Sequence, residues 1–263
     1  MNIYLMVDLE GISGIYTYTQ TRVTENRFDE GRRLMTQDIN VCVEACKEAG
    51  AKKVYVRDCH SASHTLIYEN LTDKADYCIS GSIMGGRYHD VIKTCHAAIL
   101  LGYHAMAGSK AAVLDHTFNS KTIQNCWVNG RLVGETAIDA AILGDYGVPV
   151  IMVSGDDKVC GEAKEFLPWV VTAEVKKGVD RLGAMLLPQK KAHEVIRQKT
   201  IEAIQKIDTM QPFVFSKPVT MRIEKMEGMP ILNKKRFPSM KFIDGRTYEI
   251  QAENMEEALF QSM

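Results

Sequence analysis

Several side chains of metal-ligating type stand in this chain where extended structure would let them meet. Asp8 and Glu10 follow directly on the apolar run Ile3-Tyr4-Leu5-Met6-Val7. In an extended chain residues i and i+2 point the same way, so the two carboxylates converge. Converging carboxylates repel and call for a cation or a proton between them. His60 comes just after a second run, Lys53-Val54-Tyr55-Val56-Arg57-Asp58. His104 comes just after a third, Ala97-Ala98-Ile99-Leu100-Leu101. Glu135 opens a helical stretch behind Gly134 and can reach the same edge. Three carboxylates and two imidazoles exceed the three protein ligands that one catalytic zinc takes. They suit two metals sharing a bridging carboxylate, a pair that polarises a carbonyl and generates hydroxide from water near neutral pH. The nitrogen and oxygen donors favour zinc, with manganese or cobalt as substitutes. Asp58 has two readings of equal weight: it orients a ligand histidine, or it caps the strand end.

Other motifs carry less. Asp58-Cys59-His60 resembles a thiol triad, but adjacent side chains on extended chain diverge, so Cys59 and His60 are not expected to pair. Gly11-Ile12-Ser13-Gly14 offers a phosphate cradle, yet it lacks the full glycine fingerprint and a lysine. Lys190-Lys191 and Lys234-Lys235-Arg236 read as solvated faces.

The donors can meet only if the strand ends share an edge, as they do in an open parallel sheet. The patterning predicts this. The apolar run at residues 3–7 reads as a buried strand. Residues 24–49 read as a helix, with Phe28, Met35, Ile39, Cys42, Val43 and Cys46 on one stripe and Gly50 as its stop. Residues 53–58 form the next strand, which makes a strand–helix–strand crossover. A short strand at Tyr77-Cys78-Ile79, a short helix from Asp90 and the strand at 97–101 follow. Residues 105–121 have no period, and loops of that length in compact domains are functional or disordered. A strand at 125–128, a turn at Asn129-Gly130, a helix from Glu135 through Tyr146 and a strand at 148–153 come next. A helix to about Phe166 and a strand near Ala173-Glu174-Val175 complete the series. Pro188 opens a helix to about Ile207, and short strands such as residues 219–223 precede a final helix from Asn254. The expected fold is α/β, a mostly parallel sheet with helices on both faces, plus a smaller C-terminal α+β region. The expected division is a metal-binding catalytic domain at residues 1–187 and a smaller region at 188–263.

The 263 residues carry a net charge of −1, so nothing points to nucleic acid or an anionic membrane surface. Hydrophobic content of 46% and charged content of 25% are ordinary for a globular protein. No apolar run reaches the length of a membrane span, and no secretory leader pattern is visible. Seven cysteines without C-x-x-C spacing suit reduced thiols, and the expected location is the cytoplasm.

Taken in order, these motifs resemble those of the D-aminopeptidases, a metallopeptidase family formerly described as dipeptide-transport proteins. The likeness runs over most of residues 1–185. It comprises Val7 to Gly14, Gly31-Arg32 with Leu34-Met35-Thr36, Asp58-Cys59-His60-Ser61, and Gly102-Tyr103-His104-Ala105. His116-Thr117, Asn129-Gly130 with Gly134-Glu135, Gly155-Asp156-Asp157, and Val175-Lys176-Lys177-Gly178 with Arg181 complete it. The resemblance implies two zinc ions per subunit on Asp8, Glu10, His60, His104 and Glu135, with Asp8 bridging. It implies a catalytic role for His116 outside the ligand set. It also implies a self-compartmentalising, ring-shaped homodecamer that removes N-terminal D-residues from short peptides. Arg57, Cys59 and Asp115 depart from the pattern beside the motifs, which bears on substrate preference.

Two other readings stay open at this level. One is a different metal-dependent amidase or a phosphoesterase on the same site. The other is a non-enzymatic peptide-binding component of an uptake system. His116, on the aperiodic loop, suits a proton donor for a leaving amine, since five donors already satisfy two metals. Asp115 is positioned to raise its pKa.

Overall fold

The computed structural model of the chain describes residues 1–82, 90–228 and 240–262. The run Lys234-Lys235-Arg236 lies outside the described residues; Lys190 and Lys191 are exposed, as expected of a solvated face. Strand β1 (Asn2–Val7) lies mid-sheet, flanked by β2 (Lys53–Asp58) and β4 (Ala97–Leu101). β3 (Tyr77–Ile79) extends the β2 side, and β7 (Val150–Asp156), β8 (Val171–Asp180) and β9 (Gly183–Leu186) extend the β4 side. Every pairing in this sheet is parallel except the β8–β9 hairpin.

Both faces are covered, which is why the strands read as continuous apolar runs rather than alternating ones. On one face Ile3, Leu5 and Val7 pack with Met35, Ile39 and Cys42 of α1 (Phe28–Glu48) and with Ala192 and Ile196 of α4 (Gln189–Gln205). On the other, Tyr4 and Met6 join Ile138 of α2 (Glu135–Asp145) and Val159 of α3 (Asp157–Phe166). A second, antiparallel sheet closes this face, in the order β11 (Lys241–Phe242), β12 (Thr247–Ala252), β10 (Val219–Lys225), β5 (Ile123–Val128), β6 (Arg131–Leu132). Helix α5 (Met255–Ser262) packs against it. Among the described residues no helix is long and apolar enough to cross a membrane.

The expected division at residue 187 follows neither sheet. β5 and β6 pair into the second sheet with C-terminal strands, while α4 packs in the core under the first. Strand pairing and helix docking are decided by apolar surface distant in sequence, not by chain order. The first helix also starts later than expected. Residues 23–27 stay in turns, and Asp29 and Glu30 occupy the first turn, where carboxylates suit the positive end of the helix dipole. At Asn129-Gly130 the turn forms as expected, with φ of 50° and 80°, the left-handed pair that joins β5 to β6.

Two features of the fold place the loops beyond the sheet. Val7 lies level with both Asp58 and Leu101, so β1, β2 and β4 release their chains at one height. The chain also leaves β1 toward β2 and returns on the far side as β4, which opens a crevice at that switch point. Glu162 of α3 braces the β4 exit: Met106 N donates to its Oε2 at 2.8 Å, while its buried Oε1 has no hydrogen-bond partner among the described residues. Burial pushes this carboxyl from 4.5 up to about 7. A raised folded value means stability present below the unfolded pKa and lost as pH rises through about 7. Glu162→Gln, a neutral isostere, is therefore expected to melt like the parent protein at pH 5 and several degrees above it at pH 8. Calorimetry at the two pH values measures the difference, which is on the order of 2 kcal/mol.

Candidate metal centre

All five donors expected at one edge are brought together there, each by a separate local device. Asp8 and Glu10 sit on the loop leaving β1, and that loop lies hard against the loop leaving β4. Gly11 N donates to Gly102 O at 2.7 Å, and Asp8 N to Leu101 O at 2.9 Å. A Cβ on Gly11 would stand 1.9 Å from Tyr103 O, so only glycine permits this approach. Gly102 has φ of 72°, and a Cβ there would meet Asp8 O at 2.4 Å. Gly11, from the stretch that suggested a phosphate cradle, thus serves with Gly102 to bring Asp8 within reach of His104.

The imidazoles are fixed by backbone carbonyls. His60 Nε2 lies 2.8 Å from Thr21 O, and His104 Nδ1 lies 3.1 Å from Ala105 O. A carbonyl only accepts, so the facing ring nitrogens carry the protons and the opposite nitrogens are turned to the site. His60 Nδ1 stands 3.2 Å from both Asp8 Oδ1 and Glu10 Oε2. His104 Nε2 stands 3.4 Å from Asp8 Oδ2 and 3.2 Å from Glu135 Oε1. Asp8 therefore addresses one imidazole with each oxygen. Glu135, in the first turn of α2, is held by Phe118 N at 2.8 Å.

Without cations this arrangement is self-repelling unless protons intervene. All five side chains are buried. Glu10 Oε2 and His104 Nε2 have no hydrogen-bond partner among the described residues. Burial disfavours charge on both imidazoles, yet the facing carboxylates outweigh it and raise both well above the ordinary histidine value. Burial likewise opposes the Asp8 carboxylate, but the facing imidazoles of His104 and His60 hold it well below the usual range. The donor set and its orphaned atoms fit divalent metal, which would take the place of those protons.

Asp58 resolves as a strand-end cap. It accepts from Thr65 N at 2.6 Å, Leu66 N at 3.0 Å and His60 N at 3.2 Å, so it fixes the His60 backbone rather than its ring. Cys59 Sγ donates to Arg57 O at 3.6 Å, and no thiol–imidazole pair forms with His60.

The aperiodic loop at residues 105–121 is built, not slack. Ala111, Leu114 and Phe118 have φ of 55°, 55° and 58°, a left-handed conformation that costs energy for residues with a Cβ. Val113 N donates to Asp156 Oδ2 at 2.7 Å, which ties the loop to the end of β7. The loop lays His116 on His104, ring centroids 3.9 Å apart and planes 10° from parallel. His116 Nδ1 is 2.8 Å from Leu114 O, so the proton sits there and Nε2 faces the site, 4.0 Å from Glu135 Oε1. Asp115, the neighbouring acid expected to act on His116, is not bonded to this ring. It is turned away to pair with Arg181 at 3.1 Å and accept from Gly108 N at 2.7 Å.

One organising residue carried no assigned role in the sequence reading. Lys176 of β8 is fully buried, and its Nζ donates to Glu10 O, Ile12 O and Ile15 O at 2.6, 2.9 and 2.7 Å. Little in the sequence signals it, because β8 alternates apolar and polar residues from Val171 to Lys176 and the alternation puts Lys176 among the polar positions. Burial lowers it to about 8.

Carboxylates and tethered imidazoles at the switch point of a parallel sheet are the equipment of a metal-dependent hydrolase. The chain belongs to the D-aminopeptidase family, whose model matches residues 1–262. The chain is 33% identical, over its whole length and 95% of the relative's, to the D-aminopeptidase of Bacillus subtilis strain 168. It is also similar to a solved structure, the Zn-dependent D-aminopeptidase DppA from Bacillus subtilis, described as a self-compartmentalizing protease. That likeness has a TM-score of 0.91 at 31% identity and covers all of this chain and 95% of the other. The resemblance drawn from the strand-end motifs is thereby borne out.

Lys176→Met removes three donors but also the cost of burying an ammonium, so the fold is expected to persist. The effect falls on the loop carrying Glu10. Zinc affinity, measured by competition with a chromophoric chelator, is expected to drop roughly 10- to 100-fold, the range for groups that orient ligands. Unchanged affinity would show the loop to be held without it.

Proposed function

We propose that the protein is a dinuclear zinc aminopeptidase that releases N-terminal residues, D-configured, from short peptides. The observation that carries this is the pair of anchored imidazoles, each turning its second nitrogen onto two carboxylate oxygens at 3.2–3.4 Å. His60 and Glu10 would hold one ion, His104 and Glu135 the other, and Asp8, with an oxygen toward each imidazole, would bridge them. Bound zinc supplies Lewis acidity toward the scissile carbonyl and lowers the pKa of water toward 7. The chain's own groups do the rest. His116 Nε2, deprotonated while Nδ1–H is tied to Leu114 O, takes a proton and returns it to the leaving amine. Stacking on His104 and the strained loop keep that nitrogen aimed at the site. His104, His116 and Glu135 also present atoms within 4.8 Å of one another, so His116 as a ligand is the competing assignment.

We also propose that the chains assemble as a ring-shaped homodecamer in the cytoplasm. The solved relative's self-compartmentalising description supports assembly. So do Val179, Leu182 and Met185, which expose 59%, 54% and 60% of their surface along the β8–β9 hairpin. Sedimentation at micromolar concentration is expected to show the ring; a monomer there would refute the assembly.

Hydrolysis of D-alanyl p-nitroanilide, lost with chelator and restored by zinc, tests the activity. No turnover of any short D- or L-peptide by metal-loaded protein refutes it. Asp8→Ala is expected to lose both metals by elemental analysis. His116→Ala is expected to keep them while kcat falls roughly 10²–10⁴-fold. Metal loss in that variant would make His116 a ligand.

A further inference from the structure

The cavity over the metal centre has a volume of about 650 Å³, and its lining carries both signs of charge. Asp8, Glu10 and Glu135 contribute the negative groups, Arg22, Arg57 and Lys121 the positive ones. Arg57 is buried and its guanidinium donates to Ile79 O and Gly81 O, each at 3.1 Å, so it is committed to the protein. Arg22 and Lys121 differ: among the described residues neither side chain is paired with a carboxylate.

Arg22 is nonetheless held in place. Its guanidinium carbon lies 4.0 Å from the centre of the Tyr18 ring, an attraction that orients the cation without neutralising it. The other arginine near that ring, Arg181 at 5.9 Å, already has Asp115 as its partner. Arg22 also follows Thr21, whose carbonyl accepts from His60 Nε2 at 2.8 Å, and Arg22 N donates to Tyr18 O at 3.1 Å. The residue preceding it is thus tied to a metal-centre histidine, and Arg22 lines the same cavity as the donors. Lys121 lines the same cavity, its backbone N–H donating to Asn119 Oδ1 at 2.9 Å.

An oriented cation without a carboxylate partner among the described residues, in the cavity that also holds the metal donors, complements the negative end of a ligand whose amino end lies at the metal centre. We infer that Arg22, assisted by Lys121, binds the C-terminal carboxylate of the substrate, so that the preferred substrates are short zwitterionic peptides with a free C-terminus. This inference rests on the aminopeptidase reading above. It supplies a selection for short chains within one subunit, separate from any enclosure by assembly.

The test compares kcat/KM of zinc-loaded, full-length protein for D-alanyl-D-alanine, D-alanyl-D-alaninamide and D-alanyl p-nitroanilide. The free acid is expected to be favoured over the amide by about tenfold or more, mainly through KM, as one charge-assisted contact allows. Arg22→Gln is expected to bring that ratio close to one, and Arg22→Lys to retain part of it. A parent protein that treats acid and amide alike overturns the inference, whether or not the variants fold. So does an Arg22→Gln protein that folds and keeps the parent ratio. Turnover of none of the three compounds defeats the aminopeptidase reading and this inference with it; turnover without the acid preference defeats this inference alone.

Discussion

Everything in the structure answers to one unfavourable arrangement. Two tethered imidazoles and three carboxylates face one another at 3.2–3.4 Å in a buried crevice. Such a cluster is costly without cations, because buried charges of one sign and orphaned acceptors are not compensated by solvent. In the metal-free chain, protons on His60 and His104 relieve that cost, as their raised pKa values express. Metal ions can relieve it more completely, and the same electrostatics that destabilise the empty cluster set its affinity.

The rest of the fold holds the cluster together against its own repulsion. Level strand ends supply proximity, and apolar burial on both faces of the sheet makes those ends rigid. Gly11 and Gly102 let two loops touch backbone to backbone, and Lys176 pulls three carbonyls of the β1 loop onto one ammonium. Each of the three site histidines is aimed by a backbone carbonyl: His60 by Thr21, His104 by Ala105 and His116 by Leu114. Strain in the loop at residues 105–121 belongs to the same account, since stability from the core is spent on aiming His116.

Much of this was legible in the sequence because it is local. A buried parallel strand reads as an apolar run, and a donor one to three residues past its end reads as a ligand; Asp8, Glu10, His60 and His104 all follow that rule. Glu135 was legible from a helix start behind glycine, and the family from the order of motifs. What stayed hidden was non-local. That β5 pairs with β10 and that α4 docks beside α1 depends on surfaces far apart in the chain. The β8–β9 hairpin hid because its tip exposes apolar side chains in no clear alternation. Asp58 and Asp115 were correctly suspected of matter but not of their partners, since an acid's hydrogen bonds depend on backbone geometry that spacing does not encode. Lys176 occupies an ordinary polar position in the alternation of β8, and its three acceptors come from a loop more than 160 residues earlier.

The central claim is that five donors share two metals through Asp8 while His116 stands outside the ligand set. Anomalous scattering at the zinc edge, from crystals of zinc-loaded protein, tests it most directly. Two peaks are predicted per chain, with Asp8 oxygens between them, His60 and Glu10 on one, and His104 and Glu135 on the other. A single peak, or one coordinated by His116 Nε2 together with His104 and Glu135, would contradict the account.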